Sequence, residues 1–262
     1  MSRRGTASSG TSTDVGHPAV PRSSAIVSSA RPPPRGDIIL QKETAISILT
    51  DTARAAGLGD KQGLKDVLDF LVTEEQLGVT FVSAAIENAP GTPSEAFAPV
   101  LRNAVTTEYL HVEALKDAGG QALTTKYWFP DAAFGAGGIG LFETLEVVET
   151  IEISLYLIGV SAFAQRGEDF GARLCAEAMG TEAVHRALVR FAQGQIGRKD
   201  IVPNDVGFEN YDWPTVAGVR AALEDLGIGY GTQTSQPGRF YDYPGDPLAT
   251  GIGTPVSHTK PA

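Results

Sequence analysis

Sulfur is scarce in this chain of 262 residues, which has one cysteine, Cys175, and therefore no Cys-x-x-Cys pair. A single cysteine cannot form an intrachain disulfide, and a thiolate cluster or rubredoxin-type iron site needs several cysteines. These absences exclude a disulfide framework and a thiolate metal site within the chain. We expect Cys175 to be a small buried apolar residue without a redox role.

Positive charge is also in the minority, because 21 Lys and Arg face 31 Asp and Glu and the formal net charge is −10. Such a balance argues against a nucleic-acid partner and against attraction to an anionic membrane surface. No uninterrupted apolar run reaches about 18 residues, so we expect no membrane span. The apolar share of 42% is nevertheless sufficient for a sizeable core.

The N-terminal residues are rich in Ser, Gly, Pro and Arg and poor in large apolar residues. This composition predicts a disordered tail over 1–40. Arg3-Arg4 resembles a twin-arginine signal but lacks the apolar segment that should follow, while the composition also suits a transit peptide. A cytoplasmic location is favoured, with export or organellar targeting left open. His17 and His258 both lie in tails and are expected to be inert.

Four segments with helical periodicity occupy the predicted domain 64–198. Their connections are short, long and short, the long one being about 119–140, and this order is typical of a four-helix bundle with one crossover. We therefore predict an all-α fold, with a short helical lead-in over 41–63 and a Gly-, Pro- and aromatic-rich extension over 199–262. The predicted helices cover 64–89, 94–120, 141–167 and 168–197, with shorter candidates at 42–56 and 214–226.

The first helix carries a polar stripe that is expected to face away from the apolar core. The stripe comprises Asp69, Thr73, Gln76, Thr80, Ser83 and Glu87. In the C-terminal extension, aromatic residues are expected to pack on the helices, namely Phe240, Tyr241 and Tyr243.

Two of the four histidines occur in the same short motif, "TEYLH" at 107–111 and "TEAVH" at 181–185. Chance predicts about a quarter of one Glu-x-x-His in a chain of this composition. Both motifs lie on apolar stripes, where residues three apart share a helix face. The motifs therefore aim Glu108, His111, Glu182 and His185 at the core.

The other two predicted helices each direct a glutamate inward as well. Glu149 lies within the apolar stripe of the third helix. In the first helix, periodicity does not separate Glu74 from Glu75, but spacing does. Glu75 precedes Glu108 by 33 residues, and Glu149 precedes Glu182 by 33, as expected of two equivalent hairpins. We therefore choose Glu75.

Four inward carboxylates require compensation by positive charge. Burying an unpaired carboxylate is costly, and like charges together raise each other's pKa. Oxygen and nitrogen ligands without thiolate suit two divalent ions, Fe or Mn. The predicted metal ligands are Glu75, Glu108, His111, Glu149, Glu182 and His185.

Three further glutamates and one tyrosine on the third helix have alternative interpretations. Glu143, Glu146 and Glu152 are expected to be solvated or near a helix cap, although Glu152 is also a candidate acceptor for a ligating imidazole N–H. Tyr156 is either a core residue or a hydrogen-bond donor or radical site beside the metals.

The segments "DFLVTEEQLGVTF", "TTEYLHVEAL", "VVETIEISLY" and "GTEAVHRALVRF" resemble the ferritin-like superfamily, specifically bacterial ferritin-like domain proteins that include desiccation-related members. Gln76 and Gly78 depart from that pattern, where an aromatic and a second acid are more usual. The resemblance implies a di-iron or di-manganese carboxylate oxidoreductase whose partner is a small-molecule oxidant, O2 or H2O2. Ferroxidase, peroxidase and manganese-catalase-like activities stay open, as does oxidation of an organic substrate.

A second class of function also fits these features. It is a stress- or desiccation-related structural bundle in which the metal site serves stability or is vacant. In that case the tails would dock to a partner or form a homo-oligomer.

Overall fold

The computed structural model describes residues 61–135, 139–198, 200–209 and 211–262. The predicted tail 1–40 and the helical candidate 42–56 lie outside this part of the chain. The described chain is mainly helical. Its helices are α1 (Lys61–Asn88), α2 (Ala98–Asp117), α3 (Ile139–Ala164), α4 (Asp169–Ile196), α5 (Val216–Asp225) and α6 (Pro247–Thr250).

The predicted and observed ends of the four long helices agree to within a few residues except at the start of α2. There, Pro93–Phe97 forms a 3-10 turn and the α-helix begins at Ala98. Pro99 stands in the first turn, where a missing N–H costs nothing because that donor has no partner within the helix. The shorter prediction, 214–226, corresponds to α5.

The long helices pack in two antiparallel hairpins, α1 with α2 and α3 with α4, and α1 also packs on α3. One continuous apolar cluster fills the space between them. The α3–α4 contact is close because a Cβ on Gly159 would lie 2.7 Å from the Cys175 sulfur. Cys175 is fully buried, and burial raises the pKa of its thiol to about 12.

Helix α3 has the length and composition of a possible membrane span over Gly140–Ala164, although its apolar residues are interrupted. Of the most apolar window, 67% is buried inside the chain. Such burial is what a core helix requires, and a core helix passes the same length and composition test. Neighbouring helices therefore account for its apolar character.

The all-α prediction is wrong in one respect, since the described chain also contains a three-stranded antiparallel sheet. Strands β1 (Lys126–Pro130), β2 (Gly229–Tyr230) and β3 (Gly238–Asp242) are arranged in the order β2-β1-β3. Strand β1 lies in the crossover, and its partners come about 100 residues later in the chain. Local periodicity could not reveal this pairing, because the strands are short and distant in sequence.

The polar stripe of α1 does not face solvent as predicted. Thr73, Gln76, Thr80 and Ser83 are all buried, whereas Glu87 is exposed. The crossover covers this side of the helix and forms hydrogen bonds with its polar groups. The Leu123 N–H donates to Thr73 Oγ1 at 2.9 Å, the Tyr127 hydroxyl to the Thr73 carbonyl at 2.9 Å, and the Gln121 N–H to Asp69 Oδ1 at 2.8 Å.

The C-terminal extension runs along the helices. Tyr241 and Tyr243 pack against the core, and the partly exposed Phe240 lies edge-on to Trp128. Further on, the Thr254 N–H donates to the Arg102 carbonyl at 3.1 Å.

Candidate metal centre

The six predicted ligands come together in the core, one or two from each long helix. Glu75 comes from α1, Glu108 and His111 from α2, Glu149 from α3, and Glu182 and His185 from α4. They form two overlapping groups, in each of which the candidate ligand atoms lie within 4.8 Å of one another. One group is Glu75, Glu108, His111 and Glu182, and the other is Glu108, Glu149, Glu182 and His185.

The two imidazoles face the carboxylates of neighbouring helices. His111 Nδ1 lies 2.8 Å from Glu182 Oε1 and 3.3 Å from Glu75 Oε2. His185 Nδ1 lies 2.9 Å from Glu108 Oε1, 2.9 Å from Glu182 Oε2 and 3.7 Å from Glu149 Oε2. Glu182 therefore links the two imidazoles, and Glu108 and Glu182 belong to both groups.

Several of these atoms have no hydrogen-bond partner among the described residues although they are buried. The close approach of His111 Nδ1 to Glu182 does not have hydrogen-bond geometry. A buried polar atom left unpaired costs about 1–3 kcal/mol, and an unpaired charge more. A cation held in each group would give these atoms a partner, and the oxygen and nitrogen donors suit Fe or Mn. The unpartnered atoms are Glu75 Oε2, Glu108 Oε2, His111 Nδ1, Glu149 Oε2 and Glu182 Oε1.

The charges in the cluster are strongly coupled. Burial raises the pKa of Glu75 and of Glu149 well above the usual range. Burial would lower the pKa of His111 and of His185, but the facing carboxylates outweigh it and raise both. For Glu182, burial is outweighed by the two imidazoles, which lower its pKa. The buried carboxylates thus favour positive charge on the imidazoles, and a bound metal ion would supply that charge instead.

Thr107, which directly precedes Glu108, forms a hydrogen bond with His185. Its Oγ1 lies 2.9 Å from His185 Nε2 and donates to the Ala104 carbonyl at 2.8 Å. Because the hydroxyl proton is used on the carbonyl, the hydroxyl oxygen accepts from His185 Nε2–H. This arrangement leaves Nδ1 free to face the carboxylates, and such partners commonly orient metal-binding histidines.

Tyr156 is both buried and hydrogen-bonded. The sequence left open whether it is a core residue or a hydrogen-bond donor at the site, and it is both. Its hydroxyl donates to Glu75 Oε1, and its ring lies edge-on to His111 with 6.1 Å between ring centroids. Burial, followed by the Glu75 and Glu182 charges, raises the pKa of Tyr156. Tyr156 therefore holds one oxygen of Glu75 while the other points to the cluster.

Glu152 is not solvated as expected, because only 2% of it is exposed. Its Oε1 has no hydrogen-bond partner among the described residues, and the His185 Nε2 hydrogen bond goes to Thr107 instead. Burial, then the cluster carboxylates, raises the pKa of Glu152. Glu143 and Glu146 lie nearer the surface, where they pair with Arg198 and Arg190 respectively.

Glu74, which periodicity did not separate from Glu75, lies outside both ligand groups but is also buried. It accepts a hydrogen bond from the Tyr230 hydroxyl at 2.6 Å, and its Oε2 has no partner among the described residues. Burial raises the pKa of Glu74 to about 8, against a smaller lowering by Tyr230 and Arg220. In the sequence, the signal for this burial is the position of Glu74 on an apolar row with Phe70 and Leu77.

Gly78, one of the departures from the ferritin-like pattern, gives space to a candidate ligand. A Cβ at this position would lie 3.1 Å from Glu108 Oε2. This is tighter than normal contact for a carbon and an oxygen, so a side chain here would press on the carboxylate. The glycine therefore lets α1 pass close to Glu108.

Two pockets reach the cluster from different sides. An apolar pocket of about 360 Å³ includes Glu149 and His185 in its lining. A second pocket of about 300 Å³ includes His111 and is lined partly by the C-terminal residues 257–261, among them His258. His258 thus lines the same pocket as His111, although the sequence placed it in an inert tail.

The fold and the site together define a mainly helical protein with a buried carboxylate–imidazole cluster whose groups could hold a metal ion. Comparisons with known protein families, with curated proteins and with solved structures found no match.

Proposed function

We propose that α1–α4 form a ferritin-like four-helix bundle that binds two Fe or Mn ions and works as an oxidoreductase on O2 or H2O2. The observation that carries this proposal is the pair of overlapping ligand groups in which Glu108 and Glu182 are shared. Sharing two carboxylates between two groups is the arrangement needed for two bridged metal ions.

Each side chain has a role in this proposal. Glu75 and His111 would hold one ion, Glu149 and His185 would hold the other, and Glu108 and Glu182, which belong to both groups, would contribute to both. The two ions, when bound, supply redox chemistry toward oxygen or peroxide. A ferroxidase, a peroxidase and a catalase-like enzyme all share that donor set, as do Fe and Mn.

The surrounding chain orients the ligands and buries their carboxylates. Thr107 accepts a hydrogen bond from His185 Nε2–H and so directs Nδ1 inward, while Tyr156 donates to Glu75 Oε1. Glu75, Glu108 and Glu182 are at most 1% exposed, so little water reaches these carboxylates. A dry site strengthens the electrostatic attraction of the carboxylates for cations.

The test compares Glu108→Gln with Glu113→Gln, an exposed glutamate on the same helix. Purified protein refolded with Mn(II) or Fe(II) should contain close to two metal equivalents per chain, measured by elemental analysis. Glu108→Gln should lose most of the metal and the turnover of H2O2 or Fe(II), because it removes a bridging charge, whereas Glu113→Gln should retain both. Equal metal content in the two variants would refute the assigned ligands.

A structural, stress- or desiccation-related bundle is the second candidate. It is favoured by one observation, the pairing of both imidazoles with facing carboxylates, which offsets part of the buried negative charge without metal. Under this alternative the protein would turn over neither H2O2 nor Fe(II), whether its site is vacant or binds metal for stability. Under the enzyme proposal, metal should both stabilise the fold, because it binds only the folded state, and support turnover.

A further inference from the structure

The apolar pocket beside the cluster is lined both by exposed apolar residues and by two buried candidate ligands, Glu149 and His185. It lies among α1, α2, α3 and α4 and has a volume of about 360 Å³. Four large apolar residues in its lining are exposed, which is unusual for side chains that gain by burial. They are Val100, Val184, Leu188 and Phe191.

The inner end of the pocket carries most of its polar character. Glu149 and His185, one from each of two helices, belong to the lining and also to one of the ligand groups. Thr107, the hydrogen-bond partner of His185, lies beside them. A molecule that fills the pocket would therefore end next to the cluster.

The charge of the lining restricts the kind of molecule that fits. Among the described residues that line the pocket, none is Lys or Arg, and Glu149 and His185 are the only ionisable groups. In the metal-free chain His185 already pairs with Glu108 and Glu182, so a carboxylate or phosphate ligand would lose its hydration without a free cation to meet. An ammonium ligand would meet mostly apolar walls. An uncharged, mainly apolar molecule has neither cost and gains from contact with the apolar walls.

We propose that this pocket binds an uncharged, mainly apolar organic molecule and holds one end of it against Glu149 and His185. Binding itself depends only on the pocket, whereas its position beside a metal pair rests on the proposed function. The volume lies at the lower end of the range for small-molecule sites, which suits a medium-chain alcohol or aldehyde.

The first experiment measures binding by calorimetry with octanol, octanoate and octylamine, which differ only in the end group. Octanol should bind with one site per chain, and octanoate and octylamine should bind about tenfold more weakly or not at all, because a charged end group loses hydration in the pocket. Equal binding of the three probes, or no octanol binding, would overturn the proposal.

The variant for this experiment is Leu188→Glu, which adds a charge to the lining at an exposed position. Its matched control is Leu123→Glu, another exposed leucine that is not part of the pocket. Leu188→Glu should weaken octanol binding about tenfold or more, and Leu123→Glu should leave it unchanged. The proposal fails if both variants bind octanol like the unmodified chain.

A second measurement tests the position of the bound molecule. In protein loaded with Mn(II), the octanol proton resonances should broaden, and the broadening should disappear in Leu188→Glu but not in Leu123→Glu. If Mn(II) is bound and octanol binds without broadening, the assigned position is wrong. If Mn(II) does not bind at all, the proposed metal centre is refuted. Calorimetry on the metal-free chain still tests whether the pocket binds octanol.

A second copy of the chain is the competing occupant of this apolar surface. Light scattering of the unmodified chain, Leu188→Glu and Leu123→Glu gives their masses in solution. A dimer that dissociates only in Leu188→Glu, together with absent octanol binding, would identify the surface as an interface and overturn the proposal. A mass unaffected by either substitution, together with selective octanol binding, supports the pocket.

Discussion

Replacing Glu74 by Gln should make the metal-free protein more stable at alkaline pH than the unmodified chain. Glu74 is almost fully buried, and burial raises its pKa from 4.5 to about 8. The folded state therefore holds this proton to a higher pH than the unfolded state does. The stabilising contribution is complete below about pH 4.5 and is lost as the pH rises through about pH 8.

The size of the effect follows from these two pKa values. The difference between 4.5 and about 8, at about 1.36 kcal/mol per pH unit, amounts to about 5 kcal/mol. Gln keeps an oxygen that can accept the Tyr230 hydroxyl but carries no charge, so it does not incur the cost of ionisation in the core. The variant and the unmodified chain should thus be similar near pH 5 and diverge toward pH 8.

The assay is urea unfolding in the presence of a chelator, at about pH 5 and about pH 8. The chelator removes metal binding as a source of pH dependence, and the difference between the two chains cancels the titration of the other buried glutamates. Glu87→Gln, at an exposed position of the same helix, is the control and should match the unmodified chain at both pH values. A constant difference between Glu74→Gln and the unmodified chain would refute the assigned pKa and the burial argument behind it.

Two other substitutions test single contacts. Thr107→Val removes the acceptor for His185 Nε2–H, so Mn(II) affinity measured by calorimetry should fall about 10–100-fold. Thr107→Ser keeps a hydroxyl and should restore the affinity. Unchanged affinity in Thr107→Val would contradict the orienting role. Gly159→Ala places a Cβ 2.7 Å from the Cys175 sulfur and should lower the free energy of unfolding by about 1–3 kcal/mol. In the double variant with Cys175→Ala that loss should largely disappear, whereas strict additivity would show that the two positions do not clash.

The long helices could be predicted because their signal is local. Apolar residues recur every three or four positions, and Pro and Gly mark the interruptions. The same periodicity showed that Glu149 and both Glu-x-x-His motifs face inward. The choice of Glu75 over Glu74 came from the equal 33-residue spacing of two hairpins, and the structure brings Glu75 into the ligand groups while Glu74 turns to Tyr230.

Other features could not be predicted because they depend on which segments meet. The polar stripe of α1 is typical of a solvent-facing surface, yet the crossover covers it and satisfies Thr73 through Leu123 and Tyr127. Whether Glu152 is buried or exposed is likewise left open by its position in the helical pattern of the sequence. The partner of His185 Nε2 is Thr107 on another helix, and no spacing within either motif indicates it.

The sequence by itself determined the helical segments and the inward direction of five possible ligands, because both depend on the period of a single helix; the sixth, Glu75, followed from the equal spacing of two hairpins. Only the tertiary structure decided the sheet, the burial of Glu152, and the pocket beside His185. These depend on contacts between residues far apart in the chain, where the free energy of burial outweighs any local preference.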